Sequence, residues 1–232
     1  MLSVAGVHAF YGPSHVLHGV SIHVERGEVV ALLGRNGMGK TTLVHTVLGF
    51  LKPAEGEILL DGKSIAGSAP ESIFQRGVTL MPQGHRVFGS LSVGENLTVA
   101  VRETNESIGW SIDRVLDRFP ILKERWDQGA DTMSGGEQQM LTMGRTLVGN
   151  GSIVMLDEPA EGLAPSIVER FSEIISDLRR DGVGVLLVEQ RFDFALSLAD
   201  RVYVMSRGVE VFVGTPDELR ARNDIKEEYL SL

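Results

Sequence analysis

The sequence predicts an α/β fold with a mainly parallel core sheet, an antiparallel β subdomain and an α-helical subdomain. Three observations carry this prediction. Residues 29–48 read as an apolar strand, a glycine-rich turn and a helix. Residues 153–188 read as strand, amphipathic helix and strand, which is the crossover unit of a parallel sheet. Residues 92–148 have a mostly helical pattern between these two units.

The N-terminal third of the chain shows short strand patterns, which predict the antiparallel subdomain. Leu17–Val24 is a predicted strand, and its alternation of apolar and polar residues is clearest at Val20, Ile22 and Val24. A strand over Glu57–Leu60 enters a turn at Asp61-Gly62, a pair that tolerates positive φ. The other predicted strands are Leu2–Tyr11, Val78–Met81 and a closing hairpin of residues 201–205 and 209–213.

One helical face of the crossover segment is apolar, and its charged residues lie elsewhere. The apolar positions are Ile167, Phe171, Ile174, Ile175 and Leu178. Because the chain contains no internal repeat, low-complexity segment or linker, the 232 residues predict one domain, 1–232, with a helical subdomain at about 92–150.

Composition excludes several classes of protein. A net charge of −9 argues against DNA or RNA as the main partner, because such binding depends on clustered Lys and Arg. The absence of cysteine excludes disulfides and zinc–thiolate sites. No signal peptide is expected at the start, and no apolar run approaches the ~18 residues of a membrane span.

The glycine-rich turn reads G-R-N-G-M-G-K-T over residues 34–41, which fits the phosphate-loop spacing G-x-x-x-x-G-K-[ST]. Backbone amides of such a loop surround the phosphates of a nucleotide at the start of a helix. Lys40 is expected to reach the β- and γ-phosphates, and the Thr41 hydroxyl to bind Mg²⁺. An ordinary glycine-rich turn is the alternative. The predicted nucleotide-binding residues here are Gly34, Arg35, Asn36, Gly37, Met38, Gly39, Lys40, Thr41 and Thr42.

Two adjacent carboxylates end the apolar strand of residues 153–156. Asp157 is placed to hold Mg²⁺, directly or through water. Glu158 is placed to act as general base toward an attacking water. A solvated acidic loop is the alternative interpretation, and the phosphate loop upstream argues against it.

Residues 133–139, M-S-G-G-E-Q-Q, predict the start of a helix, since Ser134 and Glu137 have capping-box spacing. The box does not account for Gly135 and Gly136, which lower helix stability unless the backbone must approach another group closely. A helix N-terminus with free amides is an anion site, here predicted for a γ-phosphate.

These three motifs in this order resemble the ATP-binding-cassette ATPases over about Leu2 to Arg222, and therefore imply a P-loop NTPase that uses ATP and Mg²⁺. The resemblance implies that Tyr11 stacks on adenine and that Gln83 contacts Mg²⁺ and the attacking water. It also implies a head-to-tail ATPase dimer, in which Ser134, Gly135, Gly136 and Glu137 of one chain close over ATP held by the other. Residues 84–96 would face a membrane partner.

Two positions depart from the family pattern. Gln190 stands where the family carries a histidine that contacts the γ-phosphate, and it cannot carry an imidazolium charge. Ala164 stands where an aspartate is usual. The sequences E-G-L-A-P and V-E-Q are similar to those of ATPases from branched-chain amino-acid importers and their urea and short-amide relatives. Gln83 and the run 192–195 lean toward the urea or amide side.

The resemblance implies an ATP-hydrolysing importer subunit, peripheral to the cytoplasmic face of the membrane. Its partners would be a second ATPase, either self or a sister chain, and two multispanning permease subunits. A periplasmic or extracellular solute-binding protein would act indirectly. The alternatives are a soluble non-transport cassette protein and an ATP-gated regulator with weak hydrolysis.

Overall fold

The computed structural model of the protein describes residues 1–84, 86–102 and 109–230. The strands of these ranges are β1 (Leu2–Tyr11), β2 (Ser14–Val24), β3 (Val29–Leu33), β4 (Glu55–Leu60), β5 (Lys63–Ser64), β6 (Val78–Met81), β7 (Ile153–Asp157), β8 (Gly184–Glu189), β9 (Arg201–Ser206) and β10 (Val209–Gly214).

The α-helices of the same ranges are α1 (Lys40–Val47), α2 (Pro70–Gln75), α3 (Val93–Thr98), α4 (Ile112–Arg118), α5 (Pro120–Glu124), α6 (Gly135–Val148), α7 (Pro165–Arg180), α8 (Phe192–Leu198), α9 (Pro216–Ala221) and α10 (Asn223–Ile225). A 3₁₀ turn covers Ala130–Thr132, and a π-helical turn covers Lys226–Leu230. None of the described helices is long and apolar enough to cross a membrane.

The strands form two sheets, as the sequence predicts. A four-stranded antiparallel sheet has the order β2-β1-β4-β5. A six-stranded sheet has the order β10-β9-β3-β8-β7-β6, in which β10 alone pairs antiparallel. The predicted α/β class with a mainly parallel core sheet is therefore confirmed.

The central strands are buried on both faces, and their alternate residues belong to different cores. In β7, Ile153 and Met155 pack with the antiparallel sheet and α1, whereas Val154 and Leu156 pack with α6 and α7. The same alternation divides the side chains of β8. A continuous apolar run suits such a strand, because neither face meets water.

The helical segment (residues 93–102 and 109–148) packs on one face of the large sheet through Leu97, Val115, Leu122 and Leu141, all fully buried. It leaves the sheet after β6 and returns at β7, and these two strands are hydrogen-bonded neighbours. Residues 103–108, which the helical prediction included, lie outside the described residues.

Some predicted boundaries differ from the structure. Strand β2 begins at Ser14, because Tyr11 pairs with Ser14 across a tight turn at Gly12. The first residues of β2 are polar and partly exposed, so they lack the alternation that marks the rest of the strand. Strand β4 begins at Glu55, two residues before the predicted start at Glu57. Its first three residues are exposed, so they also lack an apolar pattern that marks a strand.

Candidate functional site

The phosphate loop joins β3 to α1 and is shaped by close approaches that only glycine allows. A Cβ at Gly34 would lie 2.5 Å from the carbonyl oxygen of Met205 in β9. Gly39 has φ 103° at the start of α1, and an added Cβ would lie 3.1 Å from Met205 Cε. The loop therefore sits against β9, with its backbone bent into a form that L side chains rarely adopt.

Lys40 points back into this loop. Its ammonium donates hydrogen bonds to the carbonyl oxygens of Gly34 (2.7 Å) and Arg35 (3.2 Å) and lies 3.7 Å from Glu158 Oε1. Burial lowers the pKa of Lys40, and the negative charge of Glu158 opposes that change. The side chain is 5% exposed, so the loop holds a desolvated cation beside a cleft of about 230 Å³.

Asp157 ends β7 close to Thr41, whose side chain acts to lower the pKa of the carboxyl group. Asp157 Oδ1 has no hydrogen-bond partner within the described ranges, although the side chain is buried. Such an orphaned carboxylate oxygen next to a hydroxyl suits Mg²⁺, which prefers oxygen ligands. Thr41 and Asp157 therefore fit the magnesium site that the sequence predicts, and Gln83 lines the same cleft as Thr41. The role of all three as its ligands remains a proposal.

Burial raises the pKa of Asp157 to about 6, with the neighbouring charge of Glu158 adding to the effect. The raised pKa favours the neutral form in the folded, metal-free protein. Protonation of Asp157 therefore adds to the free energy of unfolding. This contribution is complete below the unfolded pKa of 3.8 and is lost as the pH rises through about 6. At pH 8 the charged carboxylate costs about 2 to 3 kcal/mol.

Asp157→Asn is therefore expected to raise the melting temperature of the metal-free protein at pH 8, and the gain should shrink as the pH is lowered through about 6. Thermal unfolding in chelator from pH 5 to 8 measures this. Asp177→Asn is the matched control, because Asp177 is also buried but is paired with Arg118 and Arg180. A gain that is equal at pH 5 and pH 8 would contradict the assignment.

Glu158 lies at the centre of the site, and both of its carboxylate oxygens accept hydrogen bonds from side-chain amides. Gln83 Nε2 donates to Oε2 (2.8 Å), and Gln190 Nε2 donates to Oε1 (2.6 Å). Gln83 also donates to Glu161 Oε2 (3.2 Å). The predicted catalytic and metal-binding residues from β6, β7 and β8 therefore meet at the carboxyl ends of neighbouring parallel strands, where an open α/β sheet binds ligands.

The backbone of Glu158 is left-handed, with φ 51°. Its N–H donates to the carbonyl oxygen of Val188 (2.8 Å), which ties the residue to β8. Left-handed backbone is uncommon outside glycine and concentrates at functional sites. This turn directs the carboxylate toward Lys40 and the loop.

Tyr11, the predicted adenine-stacking residue, is 47% exposed at the end of β1. Its hydroxyl lies 3.4 Å from His45 Nδ1 of α1. The ring is therefore available for stacking at the edge of the phosphate-loop helix, and stacking on adenine remains a proposal.

Ser134 and Glu137 form the predicted capping box at the start of α6. Glu137 N–H donates to Ser134 Oγ (3.4 Å), and Ser134 N–H donates to Glu137 Oε2 (2.8 Å). Arg125 Nη2 lies 2.9 Å from Glu137 Oε1. The expectation of free amides is therefore wrong at Glu137. Packing also accounts for a glycine at position 136, because an added Cβ would lie 2.9 Å from Ile167 Cδ1.

Residues 134–137 do not line the phosphate-loop cleft of their own chain, as far as the described residues define that cleft. The structure brings together the residues of the loop, Gln83, Asp157, Glu158 and Gln190, and leaves Ser134, Gly135, Gly136 and Glu137 apart from them. A role for these four in trans remains a proposal.

Sequence reasoning missed three residues around Glu158: Glu161, Glu189 and Arg191. Glu189 is 2% exposed, and burial raises its pKa. A carboxylate directly after the apolar run of residues 184–188 was the available signal.

Comparison with known proteins agrees with this site. The family model "ABC transporter" matches residues 17–161. The "High-affinity branched-chain amino acid transport ATP-binding protein BraG" of Pseudomonas aeruginosa is 44% identical over 99% of both chains. A "Probable branched-chain amino acid transport ATP-binding protein LivF" of Archaeoglobus fulgidus is 36% identical over 94% of both chains.

Among solved structures, a "nucleotide-free ATP-binding cassette from an ABC transporter" aligns with a TM-score of 0.87 and 26% identity, covering 100% of this chain and 98% of that one. The family model spans more than half of the chain, and both relatives match it along nearly all of its length. The protein therefore belongs to the ABC transporter family.

Proposed function

We propose that this chain is the ATP-hydrolysing subunit of an importer and powers uptake of branched-chain amino acids through partner membrane subunits. The observation that carries the ATPase assignment is Glu158, held between two amides beside the buried cation of the phosphate loop. The likeness to BraG, whose name specifies branched-chain amino acids, supports the solute class.

Some residues of the cleft bind ATP and the metal ion, and others position the attacking water. Loop amides and Lys40 hold the phosphates of ATP, and Thr41, Gln83 and Asp157 would hold Mg²⁺. When bound, Mg²⁺ would neutralise negative charge on the phosphates. Glu158 orients the attacking water and accepts its proton, and the amides of Gln83 and Gln190 fix the direction of the Glu158 carboxylate.

Two chains are needed to complete the site in this proposal. Ser134 to Glu137 start α6 outside the phosphate-loop cleft, so they meet the γ-phosphate of a second ATPase in a head-to-tail dimer. The dimer sits at the cytoplasmic face of the membrane on two permease subunits, and a solute-binding protein delivers the solute from outside.

A cleft of about 400 Å³ at the β6 edge of the sheet suits a cytoplasmic segment of a permease. Its walls are mainly apolar and come from the end of α1, α2, β6 and α6, and Arg86 and Arg145 are among the residues that line it. Phe50 is 60% exposed there, and Phe88 lies 3.9 Å below the Arg145 guanidinium. Arg86 and Phe88 belong to the range 84–96 that is predicted to face a membrane partner, while His85 is outside the described residues.

Phe50→Asp is expected to abolish co-purification with the permease subunits, because a charged side chain replaces an apolar contact. ATP affinity of the isolated chain should change by less than about twofold, since Phe50 does not line the phosphate-loop cleft. Val213→Asp is the matched control: Val213 is 56% exposed on β10, at the opposite edge of the sheet. Equal loss of capture in both variants would contradict a docking role.

The proposed function is tested by co-expressing the chain with the membrane subunits encoded beside it and measuring uptake into proteoliposomes. Leucine-stimulated ATP hydrolysis with leucine uptake supports the proposal. Stimulation by urea or a short amide alone would reassign the solute. Nucleotide binding without turnover in the assembled complex would favour an ATP-gated regulator. This alternative is considered because Gln190 and Ala164 depart from the family pattern.

A further inference from the structure

Glu189 is a buried carboxylate that the proposed mechanism does not use. It ends β8, directly before Gln190, and is 2% exposed. A buried carboxylate is costly unless hydrogen bonds satisfy it, so its partners indicate what it holds in place.

The partners of Glu189 come from two loops. Its Oε1 accepts a hydrogen bond from the backbone N–H of Ala160 (3.3 Å), in the loop after β7. Its Oε2 accepts from the backbone N–H groups of Gln190 (3.1 Å) and Arg191 (3.2 Å), in the loop after β8. One carboxylate therefore joins the loop that carries Glu158 to the loop that carries Gln190.

Arg191 closes the connection from the other side. Its Nη1 donates to the carbonyl oxygen of Ala160 (3.3 Å). Both backbone polar groups of Ala160 are thus held by the residues on either side of Gln190, and Ala160 is 1% exposed. We call this arrangement of Glu189, Ala160 and Arg191 the loop clamp.

The loop clamp lies next to the contact on which the proposed chemistry depends. Ala160 is two residues after Glu158, and Gln190 Nε2 donates to Glu158 Oε1 at 2.6 Å. Contacts therefore run in a closed circuit from Glu158 to Gln190, Glu189 and Ala160 and back along the chain. A shift of either loop therefore changes the distance between Glu158, the proposed base, and Gln190, the residue predicted to contact the γ-phosphate.

We propose that Glu189, assisted by Arg191, is a positioning residue that keeps Glu158 and Gln190 at hydrogen-bonding distance, so that the two act as one unit in hydrolysis. This inference rests on the proposed ATPase function. Glu189 does not touch the reacting atoms. It acts through the backbone of both loops.

Glu189→Gln is the informative change, because size is kept while one acceptor oxygen becomes an NH₂ group. A carboxylate accepts hydrogen bonds at both oxygens, whereas the amide has one acceptor and one donor end. The NH₂ group must then face either the Ala160 N–H or those of Gln190 and Arg191. One half of the loop clamp is lost whichever way the amide turns.

We expect Glu189→Gln to lower kcat by about 10- to 100-fold, as small displacements of catalytic groups do. KM for ATP should stay within about twofold, because the phosphate loop is untouched. In a Gln190→Ala background the same change should lower kcat by less than about threefold further, because Gln190→Ala has already removed the Glu158–Gln190 contact that Glu189 maintains. Arg191→Lys, at an exposed side chain, should lower kcat in the same direction and does not threaten folding.

A second measurement does not depend on activity. Amide hydrogen exchange in peptides covering residues 158–164 should be faster in Glu189→Gln than in the wild type. Asp177→Asn, the change of a buried and paired carboxylate on α7, should lower stability without altering kcat or exchange in these peptides.

The outcomes separate the two proposals. If the wild type hydrolyses ATP, the positioning role is overturned by an unchanged kcat in Glu189→Gln. It is also overturned if the effects of Glu189→Gln and Gln190→Ala on kcat are fully additive. A wild type that binds ATP but shows no turnover with its partners overturns the proposed ATPase function instead. Unchanged exchange in residues 158–164 overturns the loop clamp in either case.

Discussion

Replacement of Glu158 by glutamine is expected to lower ATP turnover by about 100- to 10,000-fold, the usual contribution of a general base. Glutamine keeps the size of the side chain but cannot accept the proton of the attacking water. One of its two ends also becomes a donor, so it keeps only one of the bonds from Gln83 and Gln190.

The same change should preserve or tighten ATP binding. Glu158 places a negative charge 3.7 Å from Lys40 and beside the cleft that receives the phosphates, so removing that charge lowers repulsion. Bound ATP that is not hydrolysed should hold two chains together, which light scattering detects as a dimer. Steady-state turnover within about threefold of the wild type would exclude Glu158 as the base.

Lys40→Ala is expected to weaken ATP binding by about 100-fold. Each hydrogen bond from a charged donor is worth about 1.5–3 kcal/mol, and about 1.4 kcal/mol is a tenfold change in affinity. The substitution also leaves the carbonyl oxygens of Gly34 and Arg35 without the donor they have in this structure. Direct titration with a fluorescent ATP analogue measures the loss.

Two controls separate binding from folding in that experiment. Lys40→Met keeps the apolar stem in the loop and should lose affinity to the same extent. Lys52→Ala removes an exposed lysine just after α1 and should leave affinity unchanged. Wild-type affinity in Lys40→Ala would refute the phosphate-loop assignment.

Local patterns in the sequence were sufficient to predict most of the site. The loop of residues 34–41, the strand before Asp157 and the capping box at Ser134 each depend on neighbours within a few residues, and the fold and the box are confirmed. The strands around them were predictable because both faces of a parallel sheet are buried and the runs are continuously apolar.

The remaining features depend on contacts between distant parts of the chain. Nothing near Gly34 in sequence indicates that Met205 lies 2.5 Å from the position of a Cβ. The pairing of Glu189 with Ala160 spans 29 residues and follows from the register of β7 against β8. The polar start of β2 depends on the turn that aligns it with β1. Such features follow from tertiary structure, which overrides local preference.

The neighbouring positions of β6 and β7 have a consequence for communication within the molecule. The chain enters the helical segment after Met81 and returns to the sheet at Ile153, so it leaves and re-enters at two strands that lie side by side. Gln83 lies in the first of these connections, next to the cleft proposed for the permease. We therefore expect a displacement of the helical segment to move Gln83 and to change the hydrogen bond that its amide donates to Glu158.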